Sequence, residues 1–217
     1  MTKKQYAVIG LGRFGQSVAL TLSSLGHDVL VIDNNEHLVQ EIAEDVTHAV
    51  QVDARDEAAL KQLGIRNFDV VVVAISQDIE SSILITVILK DLGVKMVVAK
   101  AQNQLHGKVL EKVGADKVVF PEKDMGVRLV HNLVSPNILD FIELHPDYSI
   151  MEVIAPKSFV NKTLGQLNLR AKYNLSVLAI KKEDTIVVAP GADAKIEAND
   201  AIILVGRSEV LEKLMNN

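Results

Sequence analysis

The feature that most limits what this chain can become is a repeated alternation. Short, almost continuously apolar runs lie at residues 6–9, 29–32, 49–52, 70–75, 96–99 and 118–120. Between them, apolar residues recur every three to four positions. An apolar run without a polar face reads as a strand buried on both sides. Phe14, Val18, Leu22 and Leu25 share one helical face, as do Leu38, Ile42 and Ala43. Leu84, Val87, Ile88 and Leu92 repeat the pattern, followed by Leu105, Val109 and Val113. Gly26, Gly64, Gly93 and Gly114 each follow a helical stretch, where a left-handed C-cap is free of a Cβ clash. Strand–helix alternation of this kind implies right-handed crossovers and a doubly wound parallel sheet, an α/β fold. Composition agrees: 48% of residues are hydrophobic but only 4% are aromatic, so Val, Ile, Leu and Ala must fill the core.

The rhythm changes after Leu133. Ser135-Pro136-Asn137 interrupts it, because proline disfavours helix at the residue before it. Ile138, Leu139, Phe141, Ile142 and Leu144 then make a segment apolar nearly all round, ended by His145-Pro146-Asp147. This predicts a short apolar crossover helix, buried between domains or between subunits. Beyond it, residues 150–154, 176–180, 186–189 and 201–205 are strand-like, and 163–167 and 208–215 are helical. The expected division is therefore a domain over 1–134, a crossover helix or linker over 135–147, and a small α+β domain over 148–217.

Several function classes fall away. The chain has no Cys, which excludes a disulfide scaffold, a thiolate metal site and a cysteine nucleophile. Its longest apolar runs, 70–75 and 83–89, are far short of the roughly 20 residues of a membrane span. Met1-Thr2-Lys3-Lys4 is basic, but the apolar segment that follows stops at Gly10, too soon for a signal peptide, so a cytoplasmic protein is expected. A net charge of −5 gives no footprint for nucleic acid.

Gly10-Leu11-Gly12-Arg13-Phe14-Gly15 fits G-x-G-x-x-G directly after an expected strand and at the start of an expected helix. Asp33 ends the next strand, roughly 20 residues on, as a dinucleotide-binding turn requires. Gly10 allows the tight turn, Gly12 lets phosphate approach the backbone, and Gly15 lets the helix pack on the sheet. The free N–H groups of the helix start favour an anion. The Asp33 carboxylate would accept hydrogen bonds from ribose hydroxyls and repel a 2′-phosphate, which disfavours NADP. Arg13 is either an exposed helix-start residue or a phosphate ligand, for which its planar guanidinium is suited. Asp53 and Ala54 follow the third strand, where an adenine would lie; Asp53 is alternatively a cap. Ala74, Ile75 and Ser76 end the fourth strand and face the same crevice. Lys100 ends the fifth and would reach a phosphate or a carboxylate. Phe14 and Asn34, beside Arg13 and Asp33, complete the candidate set.

Machinery for chemistry is missing. A dehydrogenase needs an acid–base group beside its nicotinamide. The six His residues, His27, His37, His48, His106, His131 and His145, form no ligand spacing. A nucleotide site without a catalytic cluster points to a sensor. The alternative is a short NAD-dependent dehydrogenase of the precorrin-2 type.

Longer segments sharpen the reading. They are Tyr6 through Gly15, Leu63-Gly64-Ile65-Arg66-Asn67-Phe68-Asp69, Lys100-Ala101-Gln102-Asn103, Gly114-Ala115-Asp116-Lys117, Pro121-Glu122-Lys123-Asp124-Met125-Gly126, and Leu169-Arg170-Ala171-Lys172-Tyr173. Over its whole length the chain resembles the RCK regulatory subunits of bacterial Ktr/Trk potassium uptake. The resemblance implies a Rossmann-like RCK N-domain, a crossover helix and an RCK C-domain. It implies a homodimer assembling to an octameric ring, peripheral at the inner face of the cell membrane. Its partner there would be a membrane potassium-transporter subunit of the KtrB, KtrD or TrkH type. ATP would activate and ADP inactivate, with NAD(H) disfavoured as the ligand. Arg13 would reach the γ-phosphate of the nucleotide bound by the neighbouring copy. Glu122 would sit near the γ-phosphates with Mg²⁺ or Ca²⁺; read alone, it is a helix-start carboxylate after Pro121. Cyclic di-AMP would bind the C-domain at a stretch that includes Leu164, Leu169, Arg170, Asn174 and Pro190.

Overall fold

The computed structural model describes residues 3–134 and 138–215. The chain divides into two compact units, Met1–Glu122 and Lys123–Asn217.

The first unit is built from β–α steps. They run β1 (Gln5–Ile9), α1 (Arg13–Ser24), β2 (Asp28–Asp33), α2 (Glu36–Ile42), β3 (His48–Gln51) and α3 (Glu57–Gln62). A 3₁₀ turn at Ile65–Asn67 leads to β4 (Val70–Val73), α4 (Ile79–Asp91), β5 (Val97–Lys100), α5 (Gln104–Lys112) and β6 (Lys117–Val119). All six strands are parallel, in the order β3-β2-β1-β4-β5-β6. The uninterrupted apolar character of β1 has a direct cause. Ala7 and Ile9 pack into one core with Ile32, Val71, Ile85 and Leu89, while Val8 between them packs into the opposite one with Val31, Val39 and Val72. Helix starts are set by side chains: Asn35, Asp56, Asp78 and Asn103 each accept a hydrogen bond from a backbone N–H of the first turn. Helix ends follow the glycines, since Gly26, Gly64, Gly93 and Gly114 all have positive φ.

α6 (Pro121–Val134) begins at the last two residues of the first unit. The second unit continues with β7 (Ile138–His145), β8 (Tyr148–Ile154), α7 (Leu164–Leu167), α8 (Leu169–Tyr173), β9 (Ser176–Lys181), β10 (Ile186–Val188), β11 (Ala201–Arg207) and α9 (Ser208–Met215). Its strands are antiparallel in the order β10-β9-β11-β8-β7. Met151, Val153, Ile180, Ile202, Leu204 and Leu211 form its core. Thr163 and Gln166 close α7 with a reciprocal capping box.

One sequence expectation is overturned. The crossover helix placed over 135–147 is not a helix: Ile138–His145 is a strand paired antiparallel with β8. Ser135-Pro136-Asn137 lies outside the described residues. The segment is apolar nearly all round because it is an edge strand with Ile138 and Phe141 turned into the core and Leu139, Ile142 and Leu144 exposed. His145-Pro146-Asp147 is a hairpin turn rather than a helix stop. The helix lies upstream, and it is α6 that exposes Met125, Val127, Leu129, Val130 and Leu133. Among the described residues, no helix is long and apolar enough to cross a membrane.

Candidate functional site

The strand order reverses direction between β1 and β4. In an open parallel sheet that reversal leaves a crevice beyond the carboxyl ends of the strands. A cleft of about 680 Å³ sits there, within the first unit. Every nucleotide-site residue expected from the sequence lines it except Gly15: Gly10, Gly12, Arg13, Phe14, Asp33, Asn34, Asp53, Ala54, Ala74, Ile75, Ser76, Lys100 and Glu122.

The glycine turn shows why each glycine is there. Gly10 has φ +96°, in the left-handed region. A Cβ on Gly15 would lie 1.8 Å from the Gly10 carbonyl oxygen and 3.1 Å from the Ala74 Cβ, so a side chain would push α1 off the sheet. Gly12 has ordinary backbone angles, and a Cβ there would meet no protein atom within 4 Å. Its bareness serves nothing inside the protein and leaves the cradle open toward the cleft. Asp33 braces the turn: its Oδ2 accepts from the Leu11 N–H at 2.6 Å and its Oδ1 from the Asn35 N–H at 2.8 Å. Each oxygen keeps a lone pair for a ribose hydroxyl.

At the far side, Lys100 is buried at the end of β5 and donates to Glu122 Oε1 at 2.5 Å. Its ammonium lies 5.6 Å from the centre of the Phe14 ring. The hydrogen bond from Lys100 holds the Glu122 carboxyl below its ordinary value. Sequence left Lys100 between a phosphate and a carboxylate; in the structure it holds the carboxylate and remains within the cleft. Arg13 is exposed at the start of α1, and no ion pair engages it among the described residues.

At the end of β3, Asp53 is not the cap of α3; Asp56 is, accepting from Ala58 and Ala59. Asp53 instead pairs with Arg55 at 2.6 Å, which lowers its pKa. Sequence reading missed Arg55, Gln77, Asp78 and Ser81, all of which line the cleft. An arginine two residues after a strand-end aspartate was the available signal for Arg55.

Cation ligands are sparse. Among the described residues, no three His, Asp or Glu side chains converge on a metal position. Glu122 is a single carboxylate already paired with Lys100, so one chain does not by itself fit a divalent cation. In the second unit, Leu169 belongs to the core and Leu164 packs against it, whereas Arg170 and Asn174 are exposed and Pro190 is half-buried. Asn174 takes the left-handed conformation, φ 55°, that ends α8.

Residues 6–121 match the TrkA-N domain and residues 149–217 the TrkA-C domain. The chain is 48% identical over 204 residues to the Ktr system potassium uptake protein C of Bacillus subtilis, covering 94% of this chain and 92% of that one. Identity to the Ktr system potassium uptake protein A of the same bacterium is 44% over 213 residues, covering 98% and 96%.

The chain belongs to the Ktr family of potassium-uptake regulatory proteins. Ktr proteins are regulatory subunits and not enzymes, which removes the dehydrogenase alternative. The Ktr fold is also that of solved RCK domains. The GsuK RCK domain matches with TM-score 0.69 and 17% identity, over 99% of this chain and 47% of that one. The GsuK channel bound to NAD matches with TM-score 0.70 and 18% identity, over 100% and 40%. The Ktr chain thus spans less than half of either GsuK chain.

Proposed function

We propose that this chain is the cytoplasmic nucleotide-sensing subunit that gates a membrane potassium transporter, with ATP activating and ADP inactivating it. The observation that carries this reading is the cleft's charge layout. An anion cradle with no side chain on Gly12 is followed by two cations, exposed Arg13 and buried Lys100, on the side away from the base. ATP brings one more phosphate than ADP to that side. Arg13, which no ion pair engages among the described residues, donates to that phosphate across the dimer, from the neighbouring copy, and Lys100 of the same cleft exchanges the Glu122 carboxylate for it. Only a contact that differs between two ligands shifts a two-state equilibrium. One charge-assisted hydrogen bond contributes roughly 1.5–3 kcal/mol. Several copies acting together approach the ~5.5 kcal/mol of a full population switch.

The resemblance supplies the rest of the proposal. Homodimers assemble to an octameric ring, Arg13 reaches across to the neighbour's nucleotide, and the transporter subunit is of the KtrB, KtrD or TrkH type. A Glu122 freed from Lys100 is the candidate ligand for Mg²⁺ or Ca²⁺, with phosphate oxygens and a second copy completing the shell. Cyclic di-AMP is the candidate inhibitor at Leu164, Leu169, Arg170, Asn174 and Pro190. The exposed guanidinium of Arg170 is suited to its phosphate.

Potassium flux into proteoliposomes holding the cognate transporter tests the reading. Flux should rise when this chain is added with ATP and stay low with ADP. Equal flux with the two nucleotides would refute it. Arg13→Ala should narrow the difference between ATP and ADP affinity in calorimetry, and an unchanged difference would exclude Arg13 as a ligand of the added phosphate.

A further inference from the structure

The base side of the cleft carries a side chain that gating by phosphate leaves without a task. Arg55 follows β3, lines the cleft, and is half exposed. Asp53 holds it firmly. The Arg55 Nε donates to Asp53 Oδ1 at 3.0 Å and Oδ2 at 3.1 Å, and its Nη2 donates to Oδ2 at 2.6 Å. The backbone N–H of Arg55 also donates to Oδ1, at 3.0 Å, which locks the turn between the two residues. A fork of this kind fixes the plane of a guanidinium and not merely the position of its charge.

The surroundings give that plane a purpose. Ala54 between the two residues is buried and offers only a methyl group, and Val52 and Ile32 line the same region. Among the cleft's lining residues Phe14 alone is aromatic, and its ring is taken by the Lys100 ammonium on the phosphate side. A flat base entering the other side therefore meets no aromatic ring there, and Arg55 offers it a guanidinium held in plane by a carboxylate.

We infer that Arg55 is the base-stacking residue of this cleft, its guanidinium covering the face of a purine while Asp53 orients it. The inference rests on the adenine-nucleotide reading above and deepens it by assigning the base end. Its energetic signature differs from that of Arg13. ATP, ADP and AMP share one base, so Arg55 contributes equally to all three and leaves the choice between ATP and ADP untouched. A two-ring purine covers more of the plane than a one-ring pyrimidine, so ATP is preferred to CTP.

Calorimetry on the full chain tests this with ATP, ADP, AMP and CTP against wild type, Arg55→Ala, Arg55→Lys and Arg13→Ala. Arg55→Ala should weaken ATP, ADP and AMP alike, by about tenfold, as loss of one stacking partner does, and narrow the gap to CTP. Arg55→Lys keeps the charge and loses the plane, so it should not rescue. Arg13→Ala should spare AMP. Affinities for the three adenine nucleotides within twofold of wild type in Arg55→Ala, or full rescue by lysine, would overturn the stacking role and leave the ATP/ADP reading standing. Equal wild-type affinity for ATP and ADP, with Arg55→Ala still weakening both, would sink the sensor and keep the role of Arg55. No adenine-nucleotide binding by wild type would overturn both.

Discussion

Two glycines of the same turn should fail in opposite ways when each is given a methyl group. In Gly15→Ala the new Cβ falls 1.8 Å from the Gly10 carbonyl oxygen, with the Gly10 carbonyl carbon at 3.0 Å behind it. Ordinary carbon contacts are about 3.5–4.0 Å, so α1 or the turn must retreat by more than about 1 Å. Neither is a flexible side-chain end; both are backbone tied into the sheet, as the 2.8 Å bond from the Gly10 N–H to the Ile32 carbonyl shows. Overpacking of this kind costs about 1–3 kcal/mol. For a unit of this size that lowers the melting temperature by roughly 4–12 °C. In Gly12→Ala the new Cβ meets nothing within 4 Å, and φ of −65° suits any residue. The stability change should stay within about 0.5 kcal/mol, the difference between Gly and Ala at a helix N-cap. The methyl group would stand where a phosphate must approach the backbone, and ATP affinity should fall by more than about tenfold, the loss of roughly one charge-assisted hydrogen bond. Thermal unfolding without ligand and calorimetry with ATP read the two effects separately. If Gly12→Ala bound ATP like wild type, the cradle argument would be wrong. If Gly15→Ala melted within about 2 °C of wild type, the packing argument would be wrong.

Three further outcomes are expected. Lys100→Ala should weaken ATP about tenfold, as one lost charge-assisted bond implies, yet cost only about 1 kcal/mol of stability, because the released Glu122 carboxylate is largely solvated; a chain that no longer folds would contradict this. Burial holds the His106 imidazole below its ordinary value of 6.5, so the unfolded chain binds the proton more readily. Its contribution is therefore fully present above 6.5 and is lost as pH falls from there through the lowered folded value. Urea unfolding should show a smaller stability loss between about pH 7.5 and 5.5 in His106→Asn than in wild type, the window around a histidine pKa, and an equal loss would refute it. Arg170→Ala, at an exposed position, should abolish cyclic di-AMP binding without moving the melting temperature; retained binding would exclude that arginine as its phosphate ligand.

How legible all this was depended on distance along the chain. β1, β2, β4 and β5 were readable because burial on two faces forces a continuous apolar run, and the ends of α1, α3, α4 and α5 carried a glycine each while α2 ends without one. The glycine turn and Asp33 were readable because strand, turn and helix follow one another locally. β7 was misread because an edge strand with apolar residues on both faces looks like a helix apolar all round, and the pairing that decides between them is made with β8. Lys100 and Glu122 are 22 positions apart, so their ion pair follows only from β5 and the start of α6 meeting in space. Arg55 was close enough to Asp53 to be noticed, but its place in the cleft depends on the sheet order.

The rim of the cleft is assembled from the ends of β1, β2, β3, β4 and β5 together with the first turn of α6, all chain reversals or helix starts that no further strand ties together. A ligand filling that space is in effect one more crosslink in the first unit, made and broken at the rate it comes and goes. Its binding free energy adds to folding by mass action, about 2.7 kcal/mol at a hundredfold excess over Kd. The lifetime of the protein against proteolysis should then follow the concentration of whatever occupies the cleft, so that under the proposed sensing function one molecule would set both the protein's state and how much of it survives.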